Sequence, residues 1–288
     1  MAQLDHIVLL VSTPDFENPP PWLSENFTIL EGGTHTGQSS RNKLIFFKDG
    51  TYLELFNWFD DPPHPDDERQ PMRVWGRKHP GLIDFALTSS GSPEKYIDAL
   101  NLRIKDNELG VTYEKPVPGG RKRADGMDVK WKVSRPKFHT ANHTPSHAFF
   151  PGGRLDAPFF CHDVTERNVR VLFDDEKATT HPCGATGISE VRVLVPQDEL
   201  SDYAPLYKAI CNIKDFISSE REAAVINISV PASGSMTSRI TIRASEEMSR
   251  IRERGIGISD IVISTASAGE NEPKQLGNHG IASTVWIA

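Results

Sequence analysis

The chain has 288 residues, enough for one large domain or two ordinary ones. Its 38% hydrophobic and 25% charged content is that of a soluble globular protein, and a formal charge of −7 excludes a sequence-independent grip on nucleic acid, which needs a clustered basic surface. No apolar run approaches the ~18 residues of a membrane span, no basic-then-apolar leader opens the chain, and three widely spaced cysteines (Cys161, Cys183, Cys211) suit a reducing compartment. A cytoplasmic protein with neither a membrane nor a nucleic-acid partner is expected.

In chain order, "LDHIVLLV" (4–11) is a strand into which one histidine, His6, intrudes. The proline-laden "PDFENPPPWLSENF" permits at most a short helix after Pro21. "FTILEGGTHTG" is a strand running into a glycine-rich loop. "NKLIFFKDGTYLELFNW" (42–58) is a hairpin turning at Asp49-Gly50, because glycine accepts the positive φ of a tight turn. The acidic, proline-rich 59–71 is a linker.

"GLIDFALTS" (81–89) is the next strand, and "SPEKYIDALNLRIKD" a helix with Ser92 as cap and Pro93 at the first position. Tyr96, Ile97, Leu100 and Ile104 give that helix one apolar face. The basic "GGRKRADG" looks like a turn, while "MDVKWKVSRP" and "APFFCHDVT" are strands. "GISEVRVLVP" (187–196) leads to a second capped helix, "DELSDYAPLYKAICN". The strands "AAVINISVP" and "SRITIRAS", a charged helix "SEEMSRIRERG", and the strands "GISDIVISTAS" and "ASTVWIA" complete the chain. Three openings share a pattern of Gly, two residues, an acid and an alternating β run: "GLIDFAL", "GISEVRV" and "GISDIVI". "AQLDHIV" joins them if His6 takes the place of Asp84, Glu190 and Asp260. The spacing is unequal, which suits a few duplicated β-α-β-β-β units and not a solenoid.

Taken in order, "LDHIVLLV", "GGTHTGQSSRNKLIFFKDGTYLELFNW", "GLIDFAL", "PFFCHD" and "HPCGATGI" resemble the glyoxalase-like domain group of the vicinal oxygen chelate superfamily, over roughly residues 1–200. The resemblance implies an α+β fold of tandem βαβββ modules forming curved mixed sheets around a shared cleft. The modules would span 1–78 with a linker, 79–180 paired with the first, and 181–288 as a third, partly rebuilt one. In metal-using members of the superfamily the ligands come from the first and last strands of each paired module. Matched residue by residue, these are His6, Glu54, Asp84 and His162, with two of the four types exchanged relative to the glyoxalase I pattern.

Two imidazoles and a carboxylate, His6, Glu54 and His162, could hold one divalent ion (Zn, Fe, Mn or Ni) that polarises a carbonyl or diol. Alternatively, His6 and Glu54 hydrogen-bond each other or water in a metal-free pocket. Period-2 alternation puts His6 on one face with Val8 and Leu10, and Glu54 on one face with Tyr52 and Phe56. Asp84 reads as a structural acid. His35 is a candidate acid–base group or an ordinary loop histidine, and Arg41 and Asn42 are candidate substrate donors or solvated loop residues. Trp58, Trp75 and Trp131 either wall an apolar pocket or pack a core. His139, His143 and His147 suit a loop over the cleft, and His181 a turn. The expected activity is metal-assisted isomerisation, lysis or ring cleavage of a carbonyl or oxygen-rich metabolite, with Glu54 and His35 catalytic and Arg41, Asn42, Trp58 and Trp131 binding substrate. The alternative is a non-catalytic binder of an apolar metabolite. The small molecule is the one expected partner.

Overall fold

A computed structural model describes residues 1–37, 39–59, 75, 79–138, 157–220, 222–232, 237–246, 256–266, 274–277 and 284–288. The first half opens with β1 (Ala2–Leu10), the short helices α1 (Thr13–Glu17) and α2 (Pro21–Ser24), and strands β2 (Leu30–His35), β3 (Ser40–Phe46) and β4 (Tyr52–Trp58). It continues with β5 (Gly81–Ser89), α3 (Pro93–Asp106), β6 (Val111–Tyr113), β7 (Val117–Lys122), β8 (Asp128–Ser134), β9 (Pro136–Phe138) and β10 (Phe159–Asp163). One-turn helices α4 (Arg167–Arg170) and α5 (Glu176–Thr179) then lead to the second half. That half contains β11 (Ala185–Pro196), α6 (Leu200–Cys211), β12 (Ser218–Glu220), β13 (Ala223–Ser229), β14 (Thr237–Ser245), β15 (Gly257–Thr265), β16 (Lys274–Gly277) and β17 (Thr284–Ile287).

Eight strands close on themselves in the order β1-β4-β3-β2-β7-β8-β10-β5 and back to β1, a mixed sheet in an α+β protein. Alternation sorts its side chains. Leu4, Ile7, Leu9, Leu53, Leu55, Phe85 and Leu87 face outward into a large core shared with α3, α6 and the second half. Val8, Leu10, Phe56, Ile83, Ala86, Val133, Phe159 and Cys161 face inward around an aromatic-lined interior. Val171 and Ala178 pack against Leu44, Phe46 and Tyr52, so the segment carrying α4 and α5 seals part of the inner wall.

Where β1 meets β5 the ladder slips: Leu4 pairs with Leu87 and His6 with Ala86, leaving Asp5 as an extra residue. Beyond it Val8 pairs with Asp84 and Leu9 with Leu82, leaving Ile83 extra on β5. The second half repeats both slips. Glu190 pairs with Val262 after an extra Ser189, and Arg192 with Asp260 beside an extra Ser259. The four aligned positions His6, Asp84, Glu190 and Asp260 therefore each follow a β-bulge. A bulge places two consecutive side chains on one face of a strand, which regular pleating forbids.

The sequence expectations differ from the structure in a few elements. "GGRKRADG" is half strand, since β7 runs through Lys122, and Arg121 is buried. Helix α3 is capped as expected, Ser92 Oγ accepting from Lys95 N at 3.4 Å. Helix α6 has no side-chain cap; a 3-10 turn, Gln197–Glu199, feeds it instead. The linker beyond residue 59 and the charged helix beyond residue 246 lie outside the described residues apart from Trp75, as do His139, His143 and His147. Among the described residues no helix is long and apolar enough to cross a membrane.

Beyond the shared core, the halves are joined at the parallel pair of Gln3 with Ser229 and at the Asp49-Gly50 turn. Asp49 is buried there: Oδ1 accepts from Thr51 N (2.8 Å) and Thr51 Oγ1 (2.6 Å), and Oδ2 from Ile188 N at the start of β11 (3.2 Å). Burial outweighs these bonds and pushes its carboxyl up to about 6. Because this folded value exceeds the ordinary 3.8, Asp49 favours the folded state below about pH 4, and that contribution is lost as pH rises through about 6. Measured by urea unfolding against Asp49→Asn, the wild type should lose on the order of 2–3 kcal/mol between about pH 4 and about pH 7. A pH-independent difference between the two proteins would refute this account of the joint.

Candidate functional site

The interior of the closed sheet is a cleft of about 690 Å³. His6 enters it because the bulge at Asp5 resets the alternation of β1: Leu4 and Ile7 face outward, while Asp5 and His6 both face inward. Glu54 arrives on β4 by ordinary alternation with Tyr52 and Phe56, and Tyr52, paired with His6, stacks on its ring at 4.5 Å between centroids. His35 comes from the last residue of β2 and Asn42 from β3.

These side chains form a line. His6 Nε2 lies 3.5 Å from Glu54 Oε2, and His35 Nε2 lies 3.2 Å from Glu54 Oε1. Asn42 Nδ2 donates to Glu54 Oε1 at 2.6 Å and lies 3.2 Å from His35 Nε2. His35 Nδ1 is 3.0 Å from Ser40 Oγ, so the His35 proton finds a partner on either nitrogen. Behind His6, Nδ1 sits 2.7 Å from Asp5 Oδ2. Asp5, fully buried, accepts a two-pronged contact from Arg170 (2.9 Å to each oxygen), and Arg167 Nη1 lies 2.7 Å from Oδ1. Arg170 also donates to the Tyr52 hydroxyl at 2.8 Å.

The charges follow from these contacts. Burial works against the Asp5 carboxylate, but Arg170 and Arg167 overcome it and hold the carboxyl well below its usual range. Burial likewise opposes charge on His6, yet the hydrogen bonds and charges of Asp5 and Glu54 raise its pKa above the ordinary value. Glu54 is buried too, and His35 and His6 hold it far below the usual carboxylate range. Burial raises the Tyr52 phenol, which stays neutral and able to donate. The result is an imidazole favoured in its charged form between two carboxylates, on the wall of a cleft flanked by Phe56, Trp58, Trp75, Trp131 and Phe159.

The sequence-derived candidates divide. His6, His35, Glu54, Asn42, Trp58, Trp75 and Trp131 all line the cleft, and His35 lies at a strand end instead of a loop. His162 does not. Cys161 takes the inward position on β10, and His162 turns outward, stacked on Phe160 and 3.1 Å from Ser89 Oγ. Burial there pushes its imidazole down to about 4. The expected convergence of His6, Glu54 and His162 is therefore corrected by one step of alternation. Arg41, next to Asn42, also points away, held by Glu17 (2.7 Å) and Asn57 (3.0 Å) over the Phe16 ring. His181 joins the loop at Thr28 (3.1 Å) to the Phe46 carbonyl (2.8 Å) as a structural residue. Asp5 and Arg170 carry no signal in the sequence alone, because a regular strand would put Asp5 opposite His6 and Arg170 lies in an unpatterned stretch, whereas alternation already sets Tyr52 beside Glu54.

The Glyoxalase-like domain model matches residues 4–210. The chain belongs to this glyoxalase-like family. Comparison with curated proteins gives no match. Among solved structures, a hypothetical protein from Staphylococcus aureus is similar over 100% of this chain and 99% of its own, at 14% identity and a TM-score of 0.69. An extradiol ring-cleaving dioxygenase from B. fuscum is similar over 99% of this chain and 70% of its own (11% identity, TM-score 0.48). A glyoxalase I mutant from Zea mays is similar over 92% and 75% (12% identity, TM-score 0.31). The first likeness is one of fold alone; the vicinal oxygen chelate superfamily is what the sequence resembles.

Metal-using members of that superfamily draw ligands from both paired modules, and the donors of this chain do not fit that arrangement. Asp84 accepts from Trp75 Nε1 (2.7 Å) and Phe85 N (2.9 Å), Phe159 packs edge-on against His6, and His162 faces away. The Asn42 amide bridges Glu54 and His35, and among the described residues no three His, Cys, Asp or Glu side chains are placed to hold a metal ion.

Gly32 makes room for that amide: a Cβ there would lie 2.0 Å from Asn42 Oδ1. Gly32→Ala should cost about 1–3 kcal/mol in urea unfolding and displace the ¹⁵N signals of the His35 ring as Asn42 withdraws. Wild-type stability with unaltered His35 signals would count against the described packing.

Proposed function

We propose that this protein is a small-molecule enzyme that moves protons at carbon, an isomerase or lyase acting beside a carbonyl group. The observation that carries this reading is the buried Glu54 carboxylate between two imidazoles on the wall of an aromatic cleft. Glu54, displaced from its histidine partners by the substrate, takes the proton from the carbon next to the carbonyl, and the C–H electron pair moves into an enolate. His6 donates its Nε2 proton as a hydrogen bond to the enolate oxygen, where charge develops. His35, nearer the opening, exchanges protons with solvent through its alternative hydrogen bonds. Asn42 orients Glu54, and Trp58 and Trp131 hold the apolar body of the substrate. Proton transfer needs only these groups. Among the described residues no three donors are placed to hold a metal, so the isomerase or lyase branch is preferred to oxidative ring cleavage.

The division into modules 1–78, 79–180 and 181–288 belongs to the same proposal, supported by the repeated strand registers. The aromatic wall also favours a second reading, capture of an apolar metabolite without turnover. A panel of ketones, aldehydes and keto acids incubated in D₂O separates the two. The enzyme reading expects deuterium at the α-carbon of at least one compound by NMR, reduced about 100-fold or more in Glu54→Gln. Quenching of tryptophan fluorescence without any exchange would replace it with the binder. Treatment with EDTA should leave both readouts unchanged; a stoichiometric metal lost in His6→Ala would overturn the metal-free account.

A further inference from the structure

The sequence order Asp5-His6 would place the two side chains on opposite faces of a regular strand. The bulge brings them to one face, with the Asp5 carboxylate against Nδ1 of the ring whose Nε2 faces the cleft. An ionised carboxylate only accepts, so Nδ1 carries a proton. Asp5 stays ionised although it has no exposure, because Arg170, itself 2% exposed, grips both oxygens and Arg167 adds a third contact. Arg170 is fixed in turn by Asp163 on β10 and Tyr52 on β4.

We propose that Asp5, backed by Arg170, is the positioning residue of the site: it fixes the orientation and proton placement of His6 so that the Nε2 proton is presented to the substrate. This rests on the acid role given to His6 above. The groups facing the His6 ring support it element by element. From β1 comes Asp5, from β4 Glu54 and the neutral Tyr52 phenol, and from β10 the apolar Phe159 edge and the Cys161 thiol, which burial keeps protonated. The cations of α4 reach His6 only through Asp5. A carboxylate that orients a histidine recurs in unrelated enzymes because it sets tautomer and charge together. Here the positioning pair joins β1 to the segment that follows β10, so the acid is set by residues far apart in the chain.

The test is ¹⁵N and ¹H NMR of the His6 ring in the wild type and in Asp5→Asn, which keeps the shape and removes the charge. The wild type should show an Nδ1 proton shifted downfield by a carboxylate. Asp5→Asn should lower the His6 titration midpoint by about one unit or more and move the neutral ring toward the Nε2–H form. With any compound that exchanges deuterium, kcat should fall about tenfold or more with KM little changed, and the limb of the pH profile assigned to His6 should move with its midpoint. A bare Nδ1 in the wild type overturns the proposal without recourse to a variant that folds poorly. An unchanged midpoint and tautomer in Asp5→Asn also overturns it. Loss of exchange in Glu54→Gln alongside an unaffected His6 would sink the positioning role alone. A panel with no exchange would sink the enzyme reading and leave the NMR result standing.

Discussion

One extra residue in β1 governs the site. Without the bulge at Asp5, alternation from Leu4 would turn His6 outward into the apolar core with Leu9 and Leu53, where an imidazole has no partner. With it, the phase of β1 is reset, His6 reaches Glu54, and Asp5 falls behind His6 within hydrogen-bond reach. A bulge leaves one residue out of the ladder and strengthens the local twist. The assembly of the polar cluster therefore depends on this local irregularity.

Burying Asp5, His6, Glu54, Arg170 and Arg121 together would be prohibitive for any one of them alone. The cluster survives because Asp5, His6, Glu54 and Arg170 each have an opposite neighbour, Arg121 donates to the Gly32 and Arg170 carbonyls, Asn42 donates to Glu54, and Tyr52 accepts from Arg170. The same reasoning explains why β5 and the start of β10 contribute so little chemistry. Asp84, which stands where His6 stands, is occupied by the Trp75 indole and the Phe85 amide, and its bulge neighbour is Ile83, which cannot orient anything. Phe159, paired with Ala86, supplies an aromatic edge. The wall contributed by β5 and the start of β10 is thus largely apolar.

Much of this was legible in the residues. The hydrophobic alternation of "LDHIVLLV" and "YLELFNW" gave the strands, the Asp-Gly signal the hairpin, and the four aligned openings the repeat that appears as four bulges. His6 and Glu54 stood out because titratable groups in apolar strands need partners, and His35 and Asn42 as polar groups of a glycine-rich loop and the residues after it. The failures have one physical source. Counting by twos along "FFCHD" cannot say which parity faces the cleft, and nothing local fixes it, so His162 was set where Cys161 lies. Arg41 and Asn42 divide in the same way. Asp5 was hidden because a bulge is a property of two strands in register, not of one. Arg170 was hidden because its partner is 165 residues away.

The four bulges explain why chemistry concentrates in the first opening. Each sets two consecutive side chains on one face: Asp5 with His6, Ile83 with Asp84, Ser189 with Glu190, Ser259 with Asp260. The fold repeats the place but not the pair. Glu190 is consumed by Arg192 and Thr241, and Asp260 by Ser259, so those acids are satisfied within their own sheet. Only the first pair sets a carboxylate behind an imidazole and leaves the far nitrogen facing a cavity. A group anchored from behind whose outer partner lies on the wall of a cavity can exchange that partner for a bound molecule, whereas a group bonded only within the sheet can only hold the sheet together.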